Sequence, residues 1–536
     1  MKKATKLYRN GVVITLNKDN LVADSLAVCE DRILAVGSRD EVAAYQAEDT
    51  EVIDLAGKAL LPGFYDSHGH INSAGDTYMY KADLNCPPIG TCLTIEDCLN
   101  AMRELAARKP EGAVLGAGYD DTLIAEKRHL TRHDLDKVSI DRPVVAKHIS
   151  GHLAYLNTKA LEMIGYTEET EDPAGGVIQR EVGTRIPNGV LEENAAFHPN
   201  IRALELFTDE QKQASLVYIT GEYAKQGVTT ASCGLLYTNA QLALYKQVED
   251  QMKTRMFINP FMIDYEKITE GFTTSNKIVL SGGKELADGS LQGYTGYLTK
   301  PYHINLPGQP DYRGYPTNEK AELTARIVEA YRKDIQPVVH CNGDAALDDY
   351  LDALEEAQKA YPGKELRPVV IHCQTAREDQ LDRIKELGAT VSFFVLHTYY
   401  WGDRHRDIFL GPERAARLDP LQSALKRGII FSTHCDSPIT PQRPLLSIWA
   451  SVNRISSNGN VIGAEQRIPV MDALRAYTIN AAYQNFEETE RGSLEAGKYA
   501  DLVILSEDIL SCEPEHIRDI EVEETILAGR TTYKNK

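Results

Sequence analysis

The sequence predicts an α/β protein: a TIM-type (β/α)₈ barrel joined to a small β-sandwich built from both chain termini. Three observations carry this prediction. Short apolar runs alternate with helical stretches through the centre of the chain, the rhythm of a parallel sheet. Short strand-like segments occur at both ends. The 536 residues exceed the roughly 250 of an average barrel, which leaves room for a second domain and an insertion.

The amino-terminal strands are Val12-Val13-Ile14, Ala27-Val28-Cys29, Ile33 to Gly37 and Val52 to Leu55, with a polar turn at Glu30-Asp31-Arg32. This is a hairpin-rich pattern. The carboxy-terminal end has the same texture: Asp501 to Leu505, then Val522 to Ile526, then a turn at Ala528-Gly529-Arg530. Residues 1–60 and 486–536 are therefore expected to form one composite β domain, with the barrel spanning 61–485. Within the barrel, Pro337 to His340 leads into a helix over about 345–360, and Pro368 to His372 leads into one starting near Arg377. Thr390 to Phe393 and Ile429 to Ser432 continue the rhythm. The stretch from about 86 to 207, rich in Gly, Pro and charge, breaks it and reads as a subdomain inserted after the first barrel strand.

Composition narrows the function. With 58 basic and 78 acidic residues the formal net charge is −20, which disfavours nucleic acid and anionic membranes as partners. No run of about 18 apolar residues predicts a membrane span, and the first residues lack the apolar core of a signal peptide. The nine cysteines show no secreted-scaffold spacing, so reduced thiols in a cytoplasm are expected. The expected partner is a small-molecule substrate, and a homodimer is compatible with the sequence.

Histidines and acids at strand ends carry the chemistry. Leu60 to His70 reads as an apolar strand ending in His68-Gly69-His70. Residues i and i+2 of a strand share a face, so both imidazoles are expected to point into the barrel mouth, a pair suited to Zn²⁺ or a similar ion. His340 and His372 each close an apolar strand, where barrel enzymes keep their sites; a hydrogen-bonded core histidine is the alternative for either alone. Asp436 ends the last strand as a metal ligand, a general base or both; a turn cap before Ser437-Pro438 is the alternative. Lys284 is a solvated charge or, in a dry site, an amine of lowered pKa able to capture CO₂ as a carbamate bridging two metals.

Taken in order, PGFYDSHGH (62–70), SGHLAYLNTKAL (150–161), DPAGGVI (172–178), PNGVLEENA (187–195), GVTT (227–230), KELADGSLQG (284–293), HCNGDAAL (340–347), IHCQTA (371–376), DSPITP (436–441) and GSLEAGKYADLVIL (492–505) cover nearly the whole chain. The set resembles the amidohydrolase superfamily, in its amidohydrolase 3 branch (YtcJ-like, related to N-substituted formamide deformylases). The resemblance implies that His68, His70, His340 and His372 are metal ligands. It also implies that Lys284 is the bridging lysine, often present as N6-carboxylysine, and that Asp436 is both ligand and proton shuttle. His152, Asp288 and the Trp401 to His405 segment match positions that line the substrate pocket. Two motifs depart from the pattern: His434-Cys435-Asp436 replaces the usual Ser-Asp, and Ile371-His372-Cys373 replaces Glu-His-Ala. Cys341, Cys373 and Cys435 each neighbour an expected ligand, and strand alternation turns them away as small buried hydrophobes.

The expected activity is hydrolysis of an amide-type C–N bond, other than a peptide bond, by a hydroxide activated on one or two divalent ions, with zinc the expected metal. An N-substituted formamide or related amide is the expected substrate. Hydrolysis of esters, lactones or ureas on the same site is the alternative, and a non-catalytic scaffold is disfavoured by the complete ligand set. The insertion and the Tyr399 to His405 segment are expected to form a lid and an aromatic wall over the metals.

Overall fold

A computed structural model describes residues 2–536. Both chain ends contribute to one six-stranded sheet. Its order is Arg530–Lys534, Val522–Leu527, Leu502–Leu505, Ala59–Pro62, Val12–Ile14 and Val22–Ala23. A four-stranded sheet orders Arg32–Gly37, Ser25–Cys29, Lys6–Arg9 and Glu51–Asp54. Tyr8, Leu26 and Val28 of the smaller sheet share a buried cluster with Val13, Leu60, Leu502 and Ile526 of the larger. The last hairpin turns through Ala528 and Gly529, both with positive φ (49° and 74°), as a two-residue turn matched to strand twist requires.

The centre holds two all-parallel sheets. One orders Ile278–Leu280, Arg255–Pro260, Val228–Leu236 and Phe64–Tyr65. The other orders Gly283–Leu286, Pro337–Cys341, Val369–His372, Thr390–Phe393 and Phe431–Thr433. A single parallel bridge, Phe261 to Lys284, connects them. Helices such as Lys320–Arg332, Asp344–Ala360 and Glu378–Glu386 separate the strands in sequence. Strands such as Pro337–Cys341 and Thr390–Phe393 are buried throughout, as parallel strands covered on both faces must be. At the remaining edge no ladder forms between Phe431–Thr433 and Phe64–Tyr65, which are three and two residues long. Two backbone hydrogen bonds join the segments beyond them: Asp436 N to His68 O (3.2 Å) and His70 N to Ser437 O (2.7 Å).

The structure corrects the reading of Leu60 to His70 as one strand. Ala59–Pro62 pairs with Leu502–Leu505 in the terminal sheet. The chain then crosses at Gly63, where a Cβ would strike Thr229, and enters the parallel sheet only for Phe64–Tyr65. His68 and Gly69 lie beyond any strand. His70 makes an isolated bridge to Cys233 and precedes the helix Ile71–Tyr80.

The expected insertion supplies five strands of a mixed six-stranded sheet ordered Gly176–Arg180, Pro187–Glu193, Leu153–Leu156, Val144–His148, Val114–Tyr119 and Ala82–Asp83, the last of which lies just before its expected start. It has a core of its own, including Leu84, Leu99, Met102, Leu135 and Tyr155. Among the described residues no helix is long and apolar enough to cross a membrane.

Candidate metal and substrate site

A cavity of about 730 Å³ opens at the carboxyl ends of the parallel strands, and His68, His70, Lys284, His340, His372 and Asp436 all line it. Separate pieces of chain deliver them. His68 fits because Gly234 has no side chain; a Cβ there would strike the imidazole. Lys284 extends from Gly283–Leu286 and brings Nζ to 3.5 Å from His68 Nε2. Asp436 is the meeting point. Its Oδ1 lies 3.6 Å from His68 Nε2 and 3.5 Å from His70 Nε2, and its Oδ2 lies 3.9 Å from His372 Nε2. The His340 and His372 rings are 4.6 Å apart, edge to face. Non-glycine backbone strain gathers here: His372, Cys373 and Asp436 have φ of 69°, 52° and 53°. Such conformations persist only where the surroundings hold them in place.

Burial sets the charge states. It holds His68, His340 and His372 well below the usual imidazole range and takes His70 down to about 3; nearby Lys284 adds to the shift at His68 and His70. The close approaches to Asp436 are therefore those of neutral imidazoles, not ion pairs. Burial also pushes the Asp436 carboxyl up to about 7, against the pull of Lys284. The Lys284 ammonium is pushed down to about 8 by burial, partly opposed by Asp436.

Neutral imidazoles and a carboxylate are the donor set of a zinc-type site. Several donor atoms are left over: Asp436 Oδ1, His68 Nδ1 and His340 Nδ1 are buried without a hydrogen-bond partner. Buried polar atoms are nearly always satisfied; the two nitrogens lie against Gly234 and Asp288, so Asp436 Oδ1, on a residue that lines the cavity, is the atom that marks room for a ligand. The separations around Asp436 Oδ1 also fit. Three donors about 2.1 Å from one tetrahedral ion lie about 3.4 Å apart, close to the 3.5 and 3.6 Å observed. Two donor groups meet on Asp436: His68 with His70, and His372 with His434.

His434 has no part in the ligand set read from sequence. The structure brings its Nε2 to 3.2 Å from His372 Nδ1 and its Nδ1 to 2.7 Å from Ser392 Oγ, with Phe394 stacked on the ring at 5.3 Å. It holds His372 from behind, leaving His372 Nε2 free for the cavity. In sequence Asp66 stands only as part of the motif that leads into His68 and His70. It is buried under the site, accepts from Cys435 N (3.1 Å) and Tyr477 Oη (3.3 Å), and is pushed up to about 7 by burial. No sequence signal distinguished either residue, because each acts on a segment remote in the chain.

The residues expected to contact substrate divide. His152 lines the cavity, with its ring 5.0 Å from that of His340. Asp288 has no exposed surface and is not among the lining residues. It accepts from the backbone N–H groups of Tyr297, Asn342 and Gly343 at 2.7–3.0 Å, and its Oδ1 lies 3.3 Å from His340 Nδ1. It shapes the turn after Pro337–Cys341. Trp401 and His405 are also buried and also absent from the lining. Trp401 Nε1 donates to Asp120 Oδ2 (3.3 Å), and Arg404 pairs with the same carboxylate at 2.6 Å. The aromatic wall expected from sequence is thus a clamp between this helix, Leu396–Arg404, and the segment around Asp120. His405 Nε2 faces Gln374 at 3.3 Å. The part of the insertion around 147–152, with Phe197 and Arg202, does line the cavity. Cys341, Cys373 and Cys435 are buried in the main hydrophobic core.

The chain is similar to known proteins over nearly its whole length. The N-substituted formamide deformylase of Arthrobacter pascens is 27% identical over 542 residues, covering 98% of this chain and 97% of its own. The protein YtcJ of Bacillus subtilis is 26% identical, covering 98% of this chain and 99% of its own. The crystal structure of an uncharacterized metal-dependent hydrolase from Pyrococcus furiosus is 26% identical and superimposes with a TM-score of 0.71, covering 94% of this chain and 100% of that one. Residues 51–533 match the Amidohydro_3 amidohydrolase family, and the chain belongs to that family.

Proposed function

We propose that this protein is a metal-dependent hydrolase that cleaves the amide C–N bond of a small N-substituted formamide or related amide. The observation that carries the proposal is that His68, His70 and His372 bring ring nitrogens to 3.5–3.9 Å from the Asp436 carboxylate, with Lys284 and His340 lining the same cavity and Asp436 Oδ1 buried without a hydrogen bond. The two parallel sheets are read as arcs of one (β/α)₈ barrel and the terminal sheets as a β-sandwich. The similarity to the Pyrococcus hydrolase supports that reading.

In this reading His68, His70, His340, His372, Lys284 and Asp436 hold one or two divalent ions, with Zn²⁺ the best match to the donors. Such an ion, when bound, makes water acidic enough to attack at neutral pH and polarises a carbonyl. Asp436 holds the proton during the reaction. Its carboxyl accepts a proton from the attacking water and returns it to the leaving nitrogen. Lys284, pushed down to about 8 by the same burial, offers enough free amine to react with CO₂; the carbamate forms a C–N bond and releases one proton. Ile149, Phe197, Leu235, Tyr237 and Ile439 supply apolar lining for the nitrogen substituent.

The test is a panel of N-alkylformamides with formate measured as product, run on chelator-stripped and zinc-reloaded protein. Matched esters, lactones and ureas form the control arm. Metal-dependent formate release is expected. Turnover of an ester or urea with none of any amide would overturn the proposed bond class.

A further inference from the structure

Glu193 has no exposed surface, and nothing in the proposed reaction uses it. Its surroundings are built around its carboxylate. Oε2 lies 2.8 Å from His152 Nδ1, while Oε1 is buried without a partner. A Cβ on Gly289 would collide with Oε1, so the glycine of the Ala287-Asp288-Gly289 turn leaves the gap the carboxylate occupies. The Glu193 backbone has φ of 47°, a left-handed conformation that non-glycine residues take only when held there. Its N–H donates to the His152 carbonyl at 3.0 Å. The two residues therefore meet through backbone and side chain where Leu153–Leu156 pairs with Pro187–Glu193.

A carboxylate oxygen only accepts, so His152 Nδ1 carries the shared hydrogen. That leaves Nε2 as the nitrogen this ring offers to the cavity, next to the His340 ring. We infer that Glu193 is a positioning residue: it locks the His152 imidazole so that Nε2 meets the scissile amide of the substrate, and Gly289 is the gap that admits it. The inference rests on the amide-hydrolase reading for its substrate and on the geometry alone for the pairing. It follows the general pattern in which a carboxylate orients a histidine that does the contacting.

The experiment measures kcat/KM on N-butylformamide with zinc-loaded protein for His152→Ala, Glu193→Ala, the double variant and Glu193→Gln. Each alanine variant is expected to lose about 10–100-fold, the range typical of residues supporting a site from behind. If Glu193 acts through His152, the double variant falls no further than His152→Ala. Glu193→Gln should keep most of the activity, because its side-chain carbonyl still accepts from Nδ1–H. Losses that multiply in the double variant, or full activity in Glu193→Ala, would overturn the inference. Proton NMR supplies a second readout independent of turnover. A low-field resonance from the Nδ1 hydrogen should appear in the wild type and vanish in both His152→Ala and Glu193→Ala. Its absence from the wild type, or persistence in Glu193→Ala, overturns the pairing. If the wild type hydrolyses no formamide, the proposed reaction falls while the resonance still decides the pairing.

Discussion

Two histidine-containing groups lie on either side of His397, whose ring is 5.9 Å from His372 and 5.7 Å from His405. On one side, His68, His70 and His372 bring their nitrogens around a carboxylate that has an oxygen with no hydrogen bond. On the other, Trp401 and Arg404 give their polar atoms to Asp120, and none of Trp401, Arg404 or His405 lines the cavity. Both groups are buried and both are rich in rings. What separates them is where the polar atoms go. In the first group a carboxylate oxygen is left over at the wall of a cavity, as a ligand site requires; in the second Trp401 and Arg404 give their polar atoms to one carboxylate, and His405 Nδ1, though also unpaired, lies away from the cavity lining. Residue type alone does not distinguish a wall of a pocket from a clamp.

The largest expected effect tests the first group. His68→Ala combined with His70→Ala should strip the protein of zinc, measured by elemental analysis, and lower kcat/KM by about 1,000-fold or more, given the several kcal/mol a catalytic metal supplies. Full metal and activity in that variant would erase the contrast. Next comes Lys284→Ala, expected to cost on the order of 100-fold and to be partly restored by added short carboxylic acids, which replace the carbamate oxygens. An absence of rescue, with a bare ammonium on Lys284 in a high-resolution crystal structure of the active wild type, would remove the bridge from the proposal. His434→Ala should weaken zinc binding by about 10–100-fold in a competition titration while leaving the fold intact, because it frees the His372 ring to rotate.

The second group predicts a different signature. Trp401→Ala should lower stability by about 3–5 kcal/mol in a denaturant titration and leave the ratio of kcat/KM between apolar and polar amides unchanged. A shifted ratio would return Trp401 to the pocket. The smallest effect concerns Asp120. The residue is buried, a cost that Arg404 and His148 outweigh, so its carboxyl is held down at about 2 against about 3.9 in an unfolded chain. A depressed carboxylate stabilises the fold above the unfolded value and loses that contribution as pH falls toward 2. Asp120→Asn should therefore flatten the loss of stability between about pH 4 and 2. An unaltered acid limb would show that the clamp does not depend on this charge.

The legible and illegible parts of the site follow the same division. His340 and His372 were readable because each belongs to a short apolar run that forms a strand, and a strand delivers its final residues to a known face; Lys284, in the polar run Gly283–Leu286, was singled out by the motif it shares with the family. His68 and His70 were found for a partly mistaken reason. The apolar run before them belongs to the terminal sheet, and they lie in the bend beyond Phe64–Tyr65. His434, Asp66 and Glu193 were not read as functional, since each matters only through a partner: His372, Cys435 and His152. In sequence those partners are 62, 369 and 41 residues away.

Local pattern by itself determined the central strand–helix rhythm, the parallel sheet type there and which histidines and acids stand as candidate metal ligands. Period, turn residues and strand ends are properties of a few neighbouring positions, so they survive without knowledge of the fold. Only the tertiary structure decided which ring nitrogens remain free, which carboxylates are consumed by backbone N–H groups as Asp288 is, and whether Trp401 faces a ligand or Asp120. Those outcomes depend on distances across pieces of chain tens to hundreds of residues apart, and on burial that only packing creates. Burial is also what moves Asp436 and Lys284 toward neutral pH, because it penalises a charged group in proportion to the water it loses.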